Sequence, residues 1–194
     1  MTPTEFLAKF GNAFAVACLG TGLFPSVKLA QAALESGWGK YTAGNNMFGI
    51  KAAGSHTPYW HGDYITSRTS EWKDGGYVSQ NSRFRKYASI GDSVKDHTWF
   101  LQQYGRYAKV FTAQTPEEQA KALQAAGYAT DPNYSGKLIS IINTYDLKRF
   151  DQKKKYKKKY LIKLSGGYRN ETDFDRTFKR FRLPCLSARF AKSV

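Results

Sequence analysis

Glu35 has the sequence setting best suited to acid chemistry. It ends the apolar segment Leu29–Leu34 and directly precedes Ser36 and the turn residue Gly37. Apolar surroundings disfavour the charged form of a carboxyl, so we expect a raised pKa for Glu35. A carboxyl of that kind can donate a proton near neutral pH, which glycosidic bond cleavage requires of a general acid. The alternative is an exposed glutamate in the last turn of a surface helix.

The motifs around Glu35 resemble those of family 73 of the glycoside hydrolases. The first is AQAALESGWG at residues 30–39, and the second is NNMFGIK at residues 45–51. Further matching segments follow in the family's order: Phe84–Tyr87, Ser93, Asp96-His97, Ala126–Tyr134, Leu138-Ile139 and Ile142. The resemblance covers residues 4–151. Members of this family are bacterial and phage N-acetylglucosaminidases.

The resemblance implies both a fold and an activity. The fold is α+β and mainly α, lysozyme-like, with a helical lobe and a small β-hairpin lobe flanking a groove. The activity is hydrolysis of the β-1,4 bond between N-acetylglucosamine and N-acetylmuramic acid in peptidoglycan. Glu35 falls on the family's catalytic glutamate.

A second carboxylate is expected from the β-lobe, because the family has one there. The matching candidate is Glu71, and Asp74 and Asp63 are the reserves; the alternative for Glu71 is an exposed hairpin charge. Carboxyls about 5 Å apart favour retention, and a gap of about 6.5–9.5 Å favours inversion. A third route uses the acetamido group of the substrate as nucleophile.

Two tyrosines near the end of the resembling region are further site candidates. The family's cleft tyrosine falls on Tyr128, with Tyr134 nearby. Tyr128 would hydrogen-bond the substrate or hold a water, which makes it a candidate catalytic residue. The alternative is a tyrosine of the core.

Six residues are predicted to bind the glycan, and Tyr134 is one of them. Asn45, Asn46 and Phe48 are expected to line the groove, because amides both donate to and accept from N-acetyl groups. The alternative for this segment is turn chemistry. Trp38 and Trp72 are candidate sugar platforms, although Trp38 also suits a core position beneath the glycine turn.

The histidines give no sign of a metal site. The three of them, His56, His61 and His97, lack metal-ligand spacing with the two cysteines. His97 lies at helical spacing from Val94 and Leu101, which favours a core residue or one that supports the site. We therefore expect neither metal nor cofactor.

Helix signals recur along the chain. A capping box at Thr2–Glu5 opens one helix, and Pro25–Ser36 forms a second that Gly37 ends. Further helix starts are predicted at Ser89–Asp92, at Thr115–Glu118 and at Asp131-Pro132. Between them, residues 38–55 are expected to form an ordered loop. Residues 58–87 are expected to form two or three short strands with a turn at residues 74–76.

The positive charge is concentrated at the C-terminal end. Residues 1–151 hold 16 basic and 12 acidic side chains, a net charge of +4, whereas residues 152–194 carry +11. We predict a catalytic domain over 1–151 and a basic, poorly ordered tail over 152–194. The alternative for the tail is an anchor to anionic wall polymer or membrane. No motif for specific nucleic-acid recognition accompanies it, and we expect a monomer.

Other functions remain open at this stage. A lytic transglycosylase or a muramidase of the same fold would use the same acid, and a catalytically silent wall-binding module is the alternative from another class. The apolar run over residues 13–24 lacks a basic leader and indicates a core helix. Delivery by phage, release by lysis or export by another route is then expected. A disulfide between Cys18 and Cys185 has no support in the sequence.

Overall fold

The computed structural model describes residues 1–73 and 76–152, with the side chains of residues 69–73 and 76–78 outside that description. Within those ranges the chain forms α-helices, one β-hairpin and three short 3-10 turns. They are α1 (Pro3–Ala17), α2 (Pro25–Ser36), a turn at Ala43–Asn45, β1 (Tyr64–Lys73), β2 (Gly76–Arg85), α3 (Ile90–Gln103), a turn at Gly105–Tyr107, α4 (Ala108–Thr112), α5 (Pro116–Ala125), α6 (Tyr134–Thr144) and a turn at Leu147–Phe150. The mainly helical α+β architecture is the one predicted.

The predicted capping signals start the helices as expected. The Thr2 hydroxyl accepts from the Glu5 amide, and the Glu5 carboxylate accepts from the Thr2 amide at 2.8 Å. Ser89 and Thr115 cap α3 and α5 by accepting from the amide three residues on. Each cap satisfies a backbone donor that the helix itself leaves unpaired. None of the helices in the described ranges is both long and apolar enough to cross a bilayer.

Helix α2 lies at the centre of the helical lobe. It packs against α1, α5, α6 and the turn at residues 147–150, and every residue from Pro25 to Ala33 is buried. Its N-terminus has no cap from its own sequence; instead the Asp151 carboxylate accepts from the amide and hydroxyl of Ser26, at 2.9 and 2.8 Å. At the other end Gly37 adopts the left-handed conformation, with φ +56°, and ends the helix directly after Ser36.

Helix α6 begins later than the sequence predicts. The Asp131 carboxylate accepts from the Asn133 amide at 2.9 Å and pairs with Lys137 at 2.6 Å. This local turn occupies residues 131–133, so the helix starts at Tyr134. The shift directs Tyr134 into the interior, where it is 3% exposed.

The β-lobe is a single hairpin of two ten-residue strands, longer than the two or three short strands predicted. It runs antiparallel from the Tyr64–Arg85 pair to the Lys73–Gly76 pair. Its base is held on the helical lobe by a buried ion pair between Arg85 and Asp96 of α3, at 2.7 Å. Because Asp96 also accepts from Tyr87 and Thr57, one buried carboxylate joins three segments.

The predicted tail over residues 152–194 lies outside the described residues apart from Gln152, and the turn residues Asp74 and Gly75 lie outside them too. The domain boundary near residue 151 therefore stays a prediction. The last described 3-10 turn still belongs to the helical lobe, because the Phe150 ring packs against Gly11 of α1.

Candidate active site

Glu35 lies in the last turn of α2 with its side chain exposed. The hydroxyl of Tyr134 donates to its carboxyl Oε1 at 3.1 Å. Loss of hydration among the surrounding protein atoms raises the pKa of Glu35 above its usual value, and the hydrogen bond from Tyr134 partly opposes that rise. The raised pKa predicted from the sequence is therefore present, and the carboxyl is accessible to a ligand.

Tyr134 is buried, and its hydroxyl lies between Glu35 and Gln31. The Gln31 amide donates to Tyr134 Oη at 3.3 Å, so the phenol accepts from Gln31 and donates to Glu35. Burial and the neighbouring carboxylate raise the pKa of Tyr134, which keeps the phenol protonated. The sequence predicts Tyr134 to contact the glycan, and in the structure its hydroxyl is engaged by Glu35. Gln31 was missed by the sequence analysis, where it stands unmarked in an apolar helix.

Tyr128 lies beside this pair and is half-buried. Its ring centroid is 5.5 Å from that of Tyr134, and its hydroxyl is 2.9 Å from Nε2 of His97. Burial raises the pKa of Tyr128 well above its usual value, and the neighbouring Tyr134 and Glu35 groups add to the effect. The structure thus brings Glu35, Tyr128 and Tyr134 into one cluster, and both phenols are donors at neutral pH.

His97 joins this cluster to a buried lysine. Its ring is 1% exposed and stacks on Phe48 with 4.0 Å between ring centroids. Its Nδ1 atom lies 2.6 Å from Nζ of Lys28, which is fully buried in α2. The expectation of a core or supporting histidine fits this position. Lys28 was missed, because a lysine in a helix is ordinarily assigned to the solvated side.

The segment from Asn45 to Phe48 holds the loop beside α3. Asn45, at φ +58°, donates to the Tyr87 carbonyl at 2.9 Å. The buried Asn46 amide donates to the Ile50 and Arg85 carbonyls, at 2.9 and 3.0 Å, and accepts from the Ile50 amide. Of the two interpretations given for this segment, these contacts favour turn chemistry. Phe48 is likewise buried, beneath His97.

Trp38 packs against the helical lobe. Its backbone is left-handed, with φ +59°, as the chain leaves α2. The indole makes edge-on contacts with Phe6 of α1 and with Tyr145, at centroid distances of 5.6 and 4.6 Å. These contacts favour the core position over the sugar platform.

The predicted second carboxylate lies in the hairpin, where less is described. Glu71 and Trp72 are in β1, paired with Val78 and Tyr77 of β2, and their side chains lie outside the described residues. Asp74 lies outside them altogether. Asp63 is exposed just before β1, and its carbonyl accepts from the Lys86 amide at 2.8 Å. The roles of all four residues stay predictions.

Metal and thiol chemistry have no arrangement to support them in the described part of the chain. Among the side chains that the structure describes, no group of three His, Cys, Asp or Glu residues is placed to hold a metal ion. Cys18 is a buried free thiol, and burial raises its pKa to about 12, so it stays protonated. Cys185 lies outside the described residues.

A solvent-accessible acid at the end of a buried helix, in a helical domain that carries one β-hairpin, is the arrangement of a lysozyme-like domain. The model of the glucosaminidase family, described as mannosyl-glycoprotein endo-beta-N-acetylglucosaminidase, matches residues 11–147. The chain belongs to this family of glycosidases. The family membership and the lysozyme-like fold predicted from the sequence are confirmed.

Curated relatives and solved structures agree with this assignment. The chain is 40% identical over 145 residues to the peptidoglycan hydrolase FlgJ of Salmonella typhimurium, an alignment that covers 71% of this chain and 45% of the relative. It is 37% identical over 140 residues to a probable N-acetylmuramidase of Lactococcus lactis, covering 67% and 30%. The catalytic domain of the autolysin Auto from Listeria monocytogenes matches with a TM-score of 0.67 at 33% identity, covering 77% of this chain and 87% of that one. The chain spans less than half the length of these curated relatives.

Proposed function

We propose that this chain is a peptidoglycan hydrolase that cleaves the β-1,4 bond between N-acetylglucosamine and N-acetylmuramic acid, with Glu35 as its general acid. The observation that carries the proposal is the setting of Glu35, an accessible carboxyl with a raised pKa, held by Tyr134 at 3.1 Å. Such a carboxyl can protonate the leaving glycosidic oxygen near neutral pH. The family description supports the bond class.

Each residue of the cluster around Glu35 is assigned a separate role. Glu35 donates the proton, and Tyr134 orients the carboxyl through a hydrogen bond that is itself fixed by Gln31. Tyr128 presents a protonated phenol beside the acid, suited to an acceptor oxygen of the glycan or to a water. Glu71 is our candidate for the second carboxylate, and Trp72 for a sugar contact on the same strand.

Peptidoglycan is the proposed substrate, and the bacterial cell wall the proposed place of action. The relative from Salmonella is named a peptidoglycan hydrolase, and the Listeria protein is named an autolysin. For the basic tail beyond residue 151, contact with anionic wall polymer or membrane remains the alternative hypothesis. Delivery to the wall by phage, by lysis or by another export route also remains a prediction.

A muramidase is the second candidate, because the relative from Lactococcus is named a probable N-acetylmuramidase. Both activities need a proton at a β-1,4 glycosidic oxygen, so Glu35 would serve either. They differ in which sugar occupies the position on the non-reducing side of the cleaved bond. The products therefore distinguish them, whereas the acid does not.

Mass spectrometry of borohydride-reduced digestion products tests the proposal. Purified peptidoglycan treated with the full chain should yield fragments ending in reduced N-acetylglucosamine. Ends in reduced N-acetylmuramic acid would identify a muramidase, and 1,6-anhydromuramic ends a lytic transglycosylase. Binding without any cleavage would identify a silent wall-binding module. Each of these three results contradicts the proposal.

The Glu35→Gln variant is the matched control for this digestion. It preserves the shape of the side chain and removes the transferable proton, so activity should fall on the order of 10²–10⁴-fold. The melting temperature should match that of the unmodified chain, since the replaced group is exposed. Retention of more than about a tenth of the activity would rule out Glu35 as the acid.

A further inference from the structure

Lys28 is a buried lysine whose polar contact within the described part of the chain leads towards the active-site cluster. It is 0% exposed, and its Nζ atom lies 2.6 Å from His97 Nδ1 and 5.0 Å from the ring centroid of Phe48. Asp96 and Cys18 are the other ionisable groups near enough to affect it. Burying an ammonium is unfavourable unless it is compensated, and lysine is seldom fully buried. The position therefore calls for an explanation beyond packing.

Burial lowers the pKa of Lys28 to about 7, so the amine is mostly charged below that pH. While Lys28 is charged, the hydrogen bonds in this part of the structure can run in only one direction. An ammonium only donates, so His97 Nδ1 must accept from Lys28. Burial and the Lys28 charge hold the pKa of His97 well below its usual value, so the ring is neutral and carries one N–H. That proton is consequently on Nε2, where it donates to Tyr128 Oη at 2.9 Å.

This direction determines what the Tyr128 hydroxyl can offer to a ligand. Because Oη already accepts from His97, its own proton is free to be donated elsewhere. Within the described residues the hydroxyl has no second hydrogen-bond partner. Tyr128 is half-buried and lies against Tyr134, whose hydroxyl is on Glu35. The free proton is thus available next to the proposed acid.

We propose that Lys28 and His97 are positioning residues that hold the Tyr128 hydroxyl as a hydrogen-bond donor towards the glycan bound beside Glu35. The inference rests on the proposed function, because it assigns a contact to the glycan that would bind next to the acid. The ligand group is an acceptor oxygen, such as a sugar hydroxyl or the carbonyl of an acetamido group. Lys28 and His97 touch no substrate and act through Tyr128.

Loss of the Lys28 amine would reverse the direction of these hydrogen bonds. His97 would then be free to carry its proton on Nδ1, and its bare Nε2 would accept from the Tyr128 hydroxyl. Tyr128 would present only lone pairs to the glycan, so an acceptor oxygen there would lose its donor. The effect on catalysis should therefore equal the loss of the Tyr128 hydroxyl itself.

Four variants test the inference by their kcat and KM on soluble glycan fragments, measured at about pH 6, where Lys28 is mostly charged. Tyr128→Phe should lower kcat roughly tenfold, the equivalent of one hydrogen bond. Lys28→Met and His97→Phe should lower kcat by a similar factor. His97→Phe keeps the ring stack on Phe48 but loses both hydrogen bonds. His97→Gln should retain most of the activity, since an amide also offers one acceptor and a donor.

A double variant separates positioning from a merely structural role. If Lys28 acts through Tyr128, then Lys28→Met in the Tyr128→Phe background should cost nothing further. The inference would be overturned if the loss of kcat in the double variant equalled the product of the two single losses. An unchanged kcat in Lys28→Met alone would overturn it too. Should Lys28→Met fail to fold, the contrast between His97→Phe and His97→Gln in both backgrounds decides in its place.

The tautomer of His97 gives a readout that does not depend on activity. At about pH 6, where Lys28 is mostly charged, the ¹⁵N chemical shifts of the ring in the full chain should report the Nε2–H form, and Lys28→Met should shift the ring to the Nδ1–H form. A wild-type ring in the Nδ1–H form would overturn the inference alone. A wild-type chain that cleaves no peptidoglycan would instead overturn the proposed function.

Discussion

The phenol of Tyr134 donates to the Glu35 carboxyl at 3.1 Å although 99 residues separate the two in the chain. A hydrogen bond from a neutral donor favours the carboxylate, so it lowers the pKa of Glu35, whereas burial raises it. Which form of Glu35 prevails near neutral pH depends on the balance of the two. The pH dependence of catalysis is therefore the sharpest test of this contact.

Tyr134→Phe should move the alkaline limb of the kcat profile to higher pH. Removing the bond leaves burial to raise the pKa of Glu35 further, and a general acid is active while it is protonated. Activity would then persist to higher pH than in the wild-type chain. The profile is measured on soluble fragments, with Tyr104→Phe, at an exposed tyrosine, as control. An alkaline limb that stays in place or moves down would contradict the role given to Tyr134.

Glu71→Gln should lower kcat more than it alters KM. A carboxylate that positions a water or stabilises an oxocarbenium ion acts mainly in the transition state, so its loss appears in kcat. Asp74→Asn and Asp63→Asn are the matched controls, and both should change kcat only slightly. If Asp74→Asn lowered kcat strongly and Glu71→Gln only slightly, the second carboxylate would be Asp74 and not Glu71. The anomeric form of the first product, followed by NMR, then separates retention from inversion.

Lys28→Met should remove a pH-dependent part of the stability. Burial lowers the pKa of Lys28 from 10.5 to about 7, and the negative charge of Asp96 partly opposes that change. Between these two pH values the unfolded chain binds the extra proton, so the free energy of unfolding rises with pH through this window. One group contributes a slope of up to about 1.4 kcal/mol per pH unit.

Urea unfolding at pH 6 to 10 measures this contribution as the difference between wild type and variant. As the pH rises from about 7, the free energy of unfolding of the wild type should increase relative to that of Lys28→Met. Lys121→Met, at an exposed lysine of α5, controls for the loss of one positive charge and should follow the wild-type slope. Parallel curves for Lys28→Met and wild type would show that Lys28 titrates as an ordinary lysine.

Asp151→Ala should destabilise the domain by about 1–2 kcal/mol, the usual cost of losing a helix cap. Its carboxylate accepts two hydrogen bonds from Ser26 at the N-terminus of α2, where the helix dipole favours negative charge. A chain truncated after Asp151 should keep the melting temperature of the full chain, and one truncated after Phe150 should lose stability as Asp151→Ala does. Equal losses in both truncations would show that the tail packs against the domain.

The sequence predicted the parts of the fold that are determined locally. The capping box at Thr2–Glu5 and the left-handed Gly37 depend on side chains within a few residues of each other, so their outcome could be read directly. The start of α6 differed because Asp131 forms a local turn and pairs with Lys137, a choice that a proline-based signal does not reveal. Strand length was underestimated for a related reason, since pairing with the partner strand extends a hairpin beyond its local signals.

The site could be predicted only as far as the family motifs reached. They identified Glu35, Tyr128 and Tyr134, which the structure brings together. The periodicity of α2 indicated a single apolar stripe, yet four neighbouring segments enclose the helix, and polar residues outside the stripe are buried as well. For that reason Gln31 and Lys28 were missed: helical spacing reports which side is apolar, whereas enclosure depends on what the rest of the chain packs there.

Helix α2 depends on partners that lie far along the chain, so it is completed late during synthesis. A ribosome releases the N-terminal part of a chain first, so Glu35 is outside well before Tyr134 and Asp151 have been translated. Until they arrive the helix lacks its cap, and Glu35 lacks the surroundings that raise its pKa, leaving a solvated carboxylate that is ionised at neutral pH. In a partly synthesised chain Glu35 is therefore not a general acid. The proposed wall-cutting activity begins only when residues 147–151 have been synthesised.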